Sequence, residues 1–492
     1  NLRLDPGEDL SHLAAKAAKK LRVSTSDIAE CRVVKRSLDA RKKNDIHYTC
    51  SAAVALRAGE DKLLARFAGK DVCAYTEPVY DIPHVEAASR PVVVGFGPAG
   101  MFAALVLARA GARPIVLERG QDALSRKAAV DAFHAGGELD PESNVQFGEG
   151  GAGTFSDGKL NTGTHDKRMF WVLREFAAHG APESVTYDAK PHIGTDVLID
   201  VVQNLRREII SLGGKVRFGS RLDGIVAKNG RLTHALVHTA KGNYTLPCTR
   251  LILAIGHSAR DSFEMLRDLG LDMERKPFSM GVRIEHKQRD IDLAQYGRER
   301  GELSPADYSL NVHLPDGTSA YTFCMCPGGK VFAAASEKGG VVTNGMSYSK
   351  RDGENANSAL LVTLHTDDFF LRPEQRTEQR MKTAGGNMDF ERLRDEVLLP
   401  LSRGESCLCR PYRCHGVQPE PYTADGNGIT LIEGAYSCRP ELRCFYDRTI
   451  FIDVEHTEQA ERILRRNGAE RARTFTERWI PLEERYISEL HP

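Results

Sequence analysis

The sequence predicts the α/β fold class, and three patterns along the chain predict it. From residue 91 the order is strand, glycine-rich loop, helix, strand, which is the local order that builds a parallel sheet. Before it, residues 10–21 carry apolar side chains at helical spacing, and residues 46–55 are rich in strand-favouring types. After it, short strands separated by turns run through residues 213–256.

Length and composition bound what the protein can be. At 492 residues the chain is long enough for roughly three domains. Hydrophobic residues make up 41% and charged residues 27%, which is ordinary for a globular protein. The 67 Lys and Arg balance 67 Asp and Glu, so we expect neither a nucleic-acid partner nor an anionic membrane surface. The sequence contains no apolar run of about 18 residues, so we expect no membrane-spanning helix. The 11 cysteines lack regular spacing, which favours reduced thiols and a cytoplasmic location.

The first 85 residues or so are predicted to form a small α/β module. Its helix, residues 10–21, ends in lysines, which suit a helix C-terminus, and residues 46–55 form its strand. Residues 77–91 contain three prolines and are predicted to be a linker. The basic run at 35–43 is interpreted as a solvated helix end or loop, with a partner-binding surface as the alternative.

A dinucleotide fingerprint opens the next segment. Gly95-x-Gly97-x-x-Gly100 follows the strand at 92–94 and begins a helix, the context that the fingerprint requires. The glycines allow a tight turn and let backbone approach a diphosphate, while the helix N-terminus offers N–H groups to it. Glu118 ends the following strand, where its carboxylate can accept hydrogen bonds from a ribose and would repel a 2′-phosphate.

A second glycine-rich segment, residues 147–159, distinguishes between possible dinucleotides. Its successive backbone N–H groups, with the hydroxyls of Thr154 and Ser156, could hold a second part of an extended ligand. FAD needs contacts along its whole length, so this segment favours FAD over NAD. A flexible lid is the alternative interpretation of these glycines.

Several long motifs resemble those of a known family. The segments VVVGFGPAGMFAALVLARAG, NVQFGEGGAGTFSDGKLNTG, LAIGHSARD, FSMGVRIEHKQ, TFCMCPGG and NGMSYSKRDGENANSA are similar to the bacterial family of uncharacterised FAD-dependent dehydrogenases, distant relatives of the glutathione-reductase-type flavoproteins. The resemblance runs from residue 1 to about 387. It implies a glutathione-reductase-like, Rossmann-type FAD-binding domain with an inserted mixed α+β substrate domain. The implied divisions are a module at 1–85, the FAD domain at 88–262, the substrate domain at 263–370 and a C-terminal region at 371–492.

The resemblance also implies which residues contact the cofactor. One group is expected at the ADP half, one around the phosphates and flavin, and one at the strand end that closes over the cofactor. In that order the residues are Gly95, Phe96, Gly97, Pro98, Ala99, Gly100, Glu118 and Arg119; Arg126, Gly150, Gly151, Ala152, Gly153, Thr154 and Ser156; Ala254 and Gly256.

The C-terminal region departs from the family. Members end in a glycine-rich segment that opens a final helix, and nothing like it follows residue 386. Residues 371–492 hold 18 Arg and one Lys, against 28 Arg and 20 Lys before them, and five of the 11 cysteines. We hypothesise a frame-shifted tail, with a genuinely divergent domain as the alternative.

Candidate catalytic residues are weakly indicated. His257, Arg283, Glu285 and His286 lie at predicted strand ends, and Cys324 in Cys324-Met325-Cys326 offers a thiol. Each also fits a structural role. No metal is predicted, because Cys407, Cys409, Cys414, His415, Cys438 and Cys444 lack the paired spacing of zinc sites.

The sequence therefore predicts an FAD-dependent oxidoreductase that moves two electrons through flavin N5 to or from a small-molecule substrate. The sequence contains no second complete dinucleotide fingerprint, so we expect NAD(P)H to bind only transiently. Two alternatives stay open: a non-catalytic or sensor flavoprotein, and an NAD-dependent dehydrogenase without flavin. The sequence names neither the substrate nor the oligomeric state.

Overall fold

The computed structural model describes most of the chain and divides it into two compact units. The first unit is drawn from Asn1–Lys276, Arg283–Tyr308 and Cys324–Ser358, and the second from Pro277–Val282, Ser309–Phe323 and Ala359–Pro492. The described residues are 1–67, 72–162, 164, 166–273, 281–313, 319–361, 364–365, 369–412, 418, 421–424, 430, 432–434, 436–447, 449, 459, 463–464 and 473–490. The predicted divisions at 85, 262 and 370 stay predictions.

The N-terminal module of the first unit is a small antiparallel sheet with helices. Strands β1 (Leu2–Leu4), β2 (Ile28–Asp39) and β3 (His47–Leu56) pair in the order β1-β3-β2. Helix α1 (His12–Leu21) ends in Lys19 and Lys20, as predicted, and α2 (Glu60–Arg66) follows β3. The predicted helix and the predicted strand are both confirmed.

The interpretation of the basic run was wrong in part. Residues 35–39 belong to β2, because they pair with β3 along the register that brings Arg36 opposite Cys50. Arg36 is half-buried, forms an ion pair of 2.7 Å with Asp188, and stacks on the Tyr48 and Tyr187 rings at 5.3 Å. A partner strand and two partly buried tyrosine rings, neither visible in the local pattern, place this arginine in a sheet.

A parallel sheet forms the centre of the first unit. Its strands are β4 (Val92–Val94), β5 (Ile115–Leu117), β6 (Lys215–Arg217) and, later in the chain, β10 (Leu251–Leu253). They lie in the order β10-β4-β5-β6, with every pairing parallel. No helix or strand is assigned between residues 72 and 91, as the predicted linker requires.

The two central strands, β4 and β5, are buried on both faces of the sheet, and alternate side chains of a strand point to opposite faces. On one face Val93 and Val116 pack into a helical core with residues of α3 (Pro98–Arg109), α5 (Lys167–Ala178) and α6 (Thr195–Ser211). On the other face Val92, Val94, Ile115 and Leu117 meet an antiparallel meander. The meander strands are β7 (Arg221–Lys228), β8 (Arg231–His238) and β9 (Tyr244–Pro247), in that order.

The chain contains further helices and strands besides the parallel sheet, the helices packed on it and the meander. The remaining helices of the first unit are α4 (Ala123–His134), α7 (Arg260–Asp268) and α8 (Gln288–Tyr296). Strands β11 (Val282–Lys287), β12 (Asn311–His313), β13 (Ser319–Cys326) and β16 (Asn355–Leu361) form a sheet in the order β11-β16-β13-β12. Strands β14 (Lys330–Ala333) and β15 (Thr343–Met346) form a hairpin. The described residues between 282 and 361 are therefore rich in strands.

The second unit has a hydrophobic core of its own. Its core includes fully buried Phe369, Val397, Cys409, Leu442 and Tyr486. The elements around it are α9 (Phe390–Arg392), a π-helical turn (Leu393–Leu398), α10 (Leu399–Ser402), α11 (Pro440–Arg443), α12 (Ile480–Leu490) and short strands β17 (Leu364–His365), β18 (Cys407–Cys409), β19 (Tyr422–Ala424) and β20 (Ile432–Glu433). Whether the tail is frame-shifted or divergent, its described residues bury apolar side chains together.

Among the residues described, none of the helices has the length and apolar character needed to cross a bilayer.

Candidate functional site

Two glycine-rich loops meet at the carboxyl ends of β4 and β5. The first loop, residues 95–100, comprises the turn after β4 and the first residues of α3. The second loop, residues 147–153, comes after α4 in the chain. The Gly150 N–H donates to the Phe96 carbonyl at 2.8 Å, which joins the two loops directly. The glycines that the sequence places about 50 residues apart thus form a single surface.

Glu118, at the end of β5, holds both loops through its carboxylate. Its Oε2 accepts from the Phe96 N–H at 2.7 Å, and its Oε1 accepts from Gly120 at 2.8 Å and from Gly148 at 2.9 Å. The side chain is only 4% exposed, yet it lines the cavity described below. A carboxylate has about four acceptor positions, so three backbone donors leave room for one ribose hydroxyl. The sequence predicts the ribose contact but gives no sign that Glu118 also tethers the two loops.

Gly95 shows why the first loop requires glycine. Its φ of +95° lies in the left-handed region, and a Cβ there would stand 2.3 Å from the Ala254 carbonyl oxygen. Ala254 follows β10, whose last residue pairs with Val94. The end of β10 can approach the loop this closely only because residue 95 has no side chain.

A cavity of about 600 Å³ opens over these loops. The helix α3 begins at its wall, so the unpaired N–H groups and positive end of the helix dipole face it. Of the predicted cofactor residues, the following line the cavity: Gly95, Gly97, Pro98, Ala99, Glu118, Arg119, Gly151, Ala152, Gly153, Ala254 and Gly256. Their contacts with a bound cofactor stay predictions, and the structure brings them to one place.

Other predicted residues support the cavity from behind. Phe96 is fully buried and contributes its N–H to Glu118. A Cβ on Gly100 would lie 1.9 Å from the Gly95 oxygen, so this glycine permits close packing of α3 against the loop. Gly150 has a φ of +83° and packs its α-carbon beside Thr154.

The structure places Arg126, which is predicted to contact the phosphates, behind the second loop. Arg126 is fully buried and does not line the cavity, so its contact with the cofactor stays a prediction. Its guanidinium donates to the carbonyls of Asn144, Val145, Glu149 and Gly151 at 2.7–2.8 Å. Burial lowers the pKa of Arg126 to about 9. The residue shapes the second glycine loop from within.

The two hydroxyls of the second loop are also turned to the backbone. Thr154 Oγ1 donates to the Glu149 carbonyl at 3.1 Å and is 1% exposed. Ser156 Oγ donates to the Gly153 carbonyl at 2.7 Å, and neither residue lines the cavity. In the structure both hydroxyls fix the loop, because hydroxyls next to bent backbone bond locally, and their predicted contact with the cofactor stays a prediction.

An ion cluster that the sequence analysis missed borders the cavity. The Arg119 guanidinium bonds Glu142 at 3.0 Å and Asp261 at 2.9 Å, and lies 4.2 Å from the centre of the Phe147 ring. Arg221 joins the cluster through Glu142 at 2.6 Å. The charges come from four separated segments, so only chain folding reveals the cluster. Further lining residues not predicted are Gln146, Ser220, Leu222, Ser258, Ala259, Ser262, Phe263 and Leu266.

The candidate catalytic residues do not lie together at one site. His257 lines the cavity, and its Nδ1 lies 2.8 Å from Ser258 Oγ. Arg283 and Cys324 come together instead, because the Arg283 guanidinium donates to the Cys324 carbonyl at 3.0 Å. Glu285 accepts from the Val331 N–H at 3.3 Å. His286 faces Tyr308, with ring centres 5.5 Å apart, and burial lowers its pKa. Only His257 of these five lines the cavity.

A buried ion pair lies next to the second loop. Asp157 is 1% exposed, and the Arg351 guanidinium donates to it through Nε at 3.0 Å and also through Nη2. Burial alone would raise the pKa of Asp157, but the charge and hydrogen bonds of Arg351 hold it below its usual value. The pair fixes the end of the glycine loop to a segment almost 200 residues later in the chain.

Among the described residues, a single group of His, Cys, Asp and Glu has metal-ligand spacing: Glu175, His179 and Glu208. Arg109 already forms ion pairs with both carboxylates, at 2.6 Å to Glu175 and 2.7 Å to Glu208, and His179 Nε2 lies 2.6 Å from Glu208. We therefore interpret this group as an ion-pair network. Cys414 and His415 belong to the C-terminal set of cysteines and histidine that lacks zinc-site spacing, and both lie outside the described residues.

The residues present fit an extended dinucleotide. Two glycine loops, a helix N-terminus and an acid at the second strand end surround one cavity, whose volume suits a ligand of that size. A Cβ on Gly97 would stand at ordinary contact distance, 3.6 Å, from the Gly151 α-carbon. Glycine at 97 is thus not required by the protein itself, which indicates that the space beside it serves a ligand.

Comparisons with known proteins agree with this interpretation. Residues 277–392 match the family described as FAD-dependent protein, C-terminal domain-like, and residues 1–55 match a domain of unknown function. An uncharacterised protein of Clostridium beijerinckii is 48% identical over 377 residues, which cover 75% of this chain and 69% of that protein.

Solved structures of flavoproteins show only remote likeness. The anhydrotetracycline hydroxylase OxyS from Streptomyces rimosus is 16% identical, with a TM-score of 0.25, over 55% of this chain and 45% of that one. The flavin-dependent monooxygenase PieE, in complex with FAD and substrate, is 15% identical, with a TM-score of 0.29, over 59% and 44%. These values are too low to indicate shared activity. The matched C-terminal domain and the site together establish FAD as the cofactor, as the sequence predicts.

Proposed function

The chain belongs to the same family as the uncharacterised Clostridium beijerinckii protein, and from that premise we propose that it is an FAD-dependent oxidoreductase that transfers two electrons with a small-molecule substrate. The observation that carries the proposal is the cavity formed by the two glycine loops and Glu118. FAD would supply the redox chemistry, as a hydride acceptor or donor at N5. The protein's own residues position the cofactor and shield it.

The first loop and α3 would bind the diphosphate. Gly97, Pro98 and Ala99 line the cavity at the helix N-terminus, where backbone N–H groups and the helix dipole favour an anion. Glu118 would accept a hydrogen bond from the adenosine ribose. Because its carboxylate also holds Phe96 and Gly148, ribose binding and loop placement depend on one side chain.

The second loop and the segment after β10 would cover the rest of the cofactor. Gly151, Ala152 and Gly153 line the cavity, and Arg126 holds the carbonyls behind them in place. Ala254, Gly256 and His257 line it from the end of β10. His257 is the candidate closest to the cavity for binding or protonating a substrate, since its imidazole is exposed there.

A donor screen tests the proposal. The purified protein is loaded with FAD under anaerobic conditions and mixed with NADH, NADPH or candidate organic donors, and the flavin absorption is followed. We expect at least one donor to bleach the flavin and an acceptor to restore it. NAD(P)H is proposed as a transient reductant because no second complete fingerprint is present. A flavin inert to every donor would contradict the enzymatic role and favour a sensor.

The variant His257→Gln separates positioning from chemistry in the same assay. Gln keeps a polar side chain of similar reach but cannot be protonated near neutral pH. We expect FAD affinity to stay unchanged and bleaching by the active donor to slow. The exposed His238 lies outside the cavity on β8, so His238→Gln is the matched control and should change neither property. Equal bleaching rates for both variants would remove His257 from the proposal.

A further inference from the structure

Arg283 is a candidate residue that does not line the FAD cavity. It belongs to β11 and is partly exposed. Its guanidinium donates to the Cys324 carbonyl through Nη2 at 3.0 Å and through Nη1 at 3.3 Å, and Nη2 also lies 4.0 Å from Cys326 Sγ. An arginine has five N–H donors, so the guanidinium keeps donors beyond these contacts.

Arg283 also lacks a counter-ion. Among the residues that the structure describes, no carboxylate forms an ion pair with it. Glu285, two residues further along β11, accepts from the Val331 N–H at 3.3 Å. A partly buried cation without a paired acid attracts an anion more strongly than a solvated one, because the surrounding protein screens charge less than water does.

A buried amide without partners lies close to this guanidinium. Asn357 belongs to β16, the strand next to β11, and is fully buried. Within the described part of the chain, neither its Oδ1 nor its Nδ2 has a hydrogen-bond partner. Buried polar groups are nearly always hydrogen-bonded, and an unpaired one lowers the stability of the fold. Folding alone therefore does not account for an asparagine at this position.

Gly345 of β15 shows how close the two groups are. A Cβ on this glycine would stand 2.7 Å from Arg283 Nη2 and closer still to Asn357 Oδ1. The amide oxygen is thus a second acceptor near the guanidinium, which at present donates to the Cys324 carbonyl. A rotation of the Arg283 side chain would exchange one acceptor for the other.

The hairpin of β14 and β15 contacts both Arg283 and the wall of the FAD cavity. Gly345 pairs with Val331 across this hairpin. Ala334, which follows β14, accepts from Gln146 Nε2 at 3.1 Å, and Gln146 lines the cavity. All of these residues belong to the first compact unit. One hairpin therefore connects the cofactor cavity with the unpaired groups beyond it.

We propose that Arg283 binds the carboxylate of a small organic acid, and that Asn357 positions Arg283 by accepting one of its N–H groups in the bound state. A planar guanidinium offers two parallel N–H groups to a planar carboxylate. The carboxylate supplies the counter-ion that Arg283 lacks, and the rotated guanidinium supplies the donor that the amide oxygen lacks. The inference rests on the proposed oxidoreductase function, because it names the class of its substrate.

The first experiment uses the unmodified, FAD-loaded full chain and needs no variant. Phenylglyoxal modifies accessible guanidinium groups, and the modification rate of each arginine is followed by peptide mass spectrometry. Sodium acetate is the carboxylate probe, and sodium chloride at the same ionic strength is the blank. We expect acetate to protect Arg283 in a saturable way, whereas the exposed Arg289 of α8, the internal control, reacts equally fast with and without it. Equal rates for Arg283 in acetate and chloride would overturn the proposal, and so would stronger protection by inorganic phosphate.

The variant Asn357→Leu tests the positioning role. Leucine has a similar size and no polar atoms, so removal of the unpaired amide should raise the Tm of the FAD-loaded protein. Acetate should protect Arg283 with about tenfold lower affinity, which corresponds to the loss of one hydrogen bond to a charged group. Asn355→Leu, at an exposed position two residues earlier on β16, is the matched control and should leave acetate protection unchanged. A lower Tm together with unchanged acetate protection in Asn357→Leu would overturn the role of Asn357.

The flavin assay described above distinguishes this inference from the function on which it rests. A flavin that donors bleach, in a protein whose Arg283 acetate does not protect, would contradict only the carboxylate site. Acetate protection in a protein whose flavin is inert to every donor would contradict the oxidoreductase function and leave the carboxylate site standing.

Discussion

Replacing Gly97 by Ala separates cofactor binding from folding. The backbone at Gly97 has φ −74° and ψ −175°, which alanine adopts without strain. The added Cβ would stand 3.6 Å from the Gly151 α-carbon, an ordinary contact, so nothing in the protein needs to move. The methyl group occupies the space where we place the diphosphate. We therefore expect unchanged stability and weakened FAD binding.

The size of the effect follows from the hydrogen bonds at stake. A methyl group between the helix N-terminus and a phosphate would lengthen at least one charge-assisted N–H···O bond beyond bonding distance. Such a bond contributes about 1.5–3 kcal/mol, which corresponds to a roughly 10- to 100-fold higher Kd for FAD. The Kd is measured by quenching of flavin fluorescence, and stability by thermal unfolding of the apoprotein.

Gly100→Ala is the contrasting variant. Its Cβ would lie 1.9 Å from the Gly95 carbonyl oxygen, so the helix must shift and the Tm of the apoprotein should fall. Wild-type FAD affinity in Gly97→Ala would refute the placement of the diphosphate beside residue 97. A large drop in the Tm of Gly97→Ala would refute the claim that the protein itself tolerates a side chain there.

Three further variants test the supports of the site. In Glu118→Gln the side-chain NH₂ group would face either the Phe96 N–H or the N–H groups of Gly120 and Gly148, and two donors cannot bond each other. We therefore expect the free energy of unfolding in urea to fall by about 2 kcal/mol or more, together with weaker FAD binding. Unchanged stability would contradict the tethering role. Arg126→Met removes hydrogen bonds to four buried carbonyls, so we expect the free energy of unfolding to fall by roughly 4 kcal/mol, at about 1 kcal/mol for each bond. The matched control is Lys127→Met, at an exposed position, which should change this free energy very little. Equal losses for the two variants would show that burial of Arg126 is unimportant. Arg351→Leu leaves Asp157 buried without its partner and should cost about 3–5 kcal/mol at pH 7. Because the folded pKa of Asp157 is lowered, the pair's contribution is present above the ordinary value of 3.8 and is lost as pH falls through the lower folded pKa. The stability gap between wild type and Arg351→Leu should therefore narrow as the pH falls below about 4, and a gap independent of pH would contradict the ion pair.

The local chemistry of the glycine loop could be predicted from the sequence because its requirements are local. A strand, a positive φ at Gly95, a helix N-terminus and an acid after the next strand all lie within about 30 residues, the size of such a unit. The structure accordingly places Gly95, Gly97 and Glu118 together.

The roles of Arg126 and Arg36 could not be predicted, because their partners are set by folding. Arg126 suits a phosphate on charge alone, but four carbonyls from residues 144–151 enclose it. Arg36 belongs to a basic run that suggests solvent, yet strand pairing and two tyrosine rings place it in a sheet. In both cases a long side chain with several donors fits more than one environment, and only the surrounding backbone decides.

The cysteine pair illustrates a different limit. Alternation along a strand predicts that Cys324 and Cys326 share a face at a distance unsuited to a disulfide. The φ of Cys324 is +49°, a left-handed conformation that interrupts this alternation, and nothing in the sequence TFCMC signals it. The sheet order that brings Arg283 to Cys324 likewise depends on pairings between strands far apart in the chain.

Reconstitution with FAD tests whether the two glycine loops and Glu118 hold a flavin nucleotide. The unmodified protein is stripped of ligand, titrated with FAD, and followed by flavin fluorescence and the visible absorption spectrum. We expect saturable binding of one FAD per chain, with a shifted flavin spectrum and a higher Tm. A protein that stays colourless in excess FAD while its thermal unfolding shows an intact fold would contradict it.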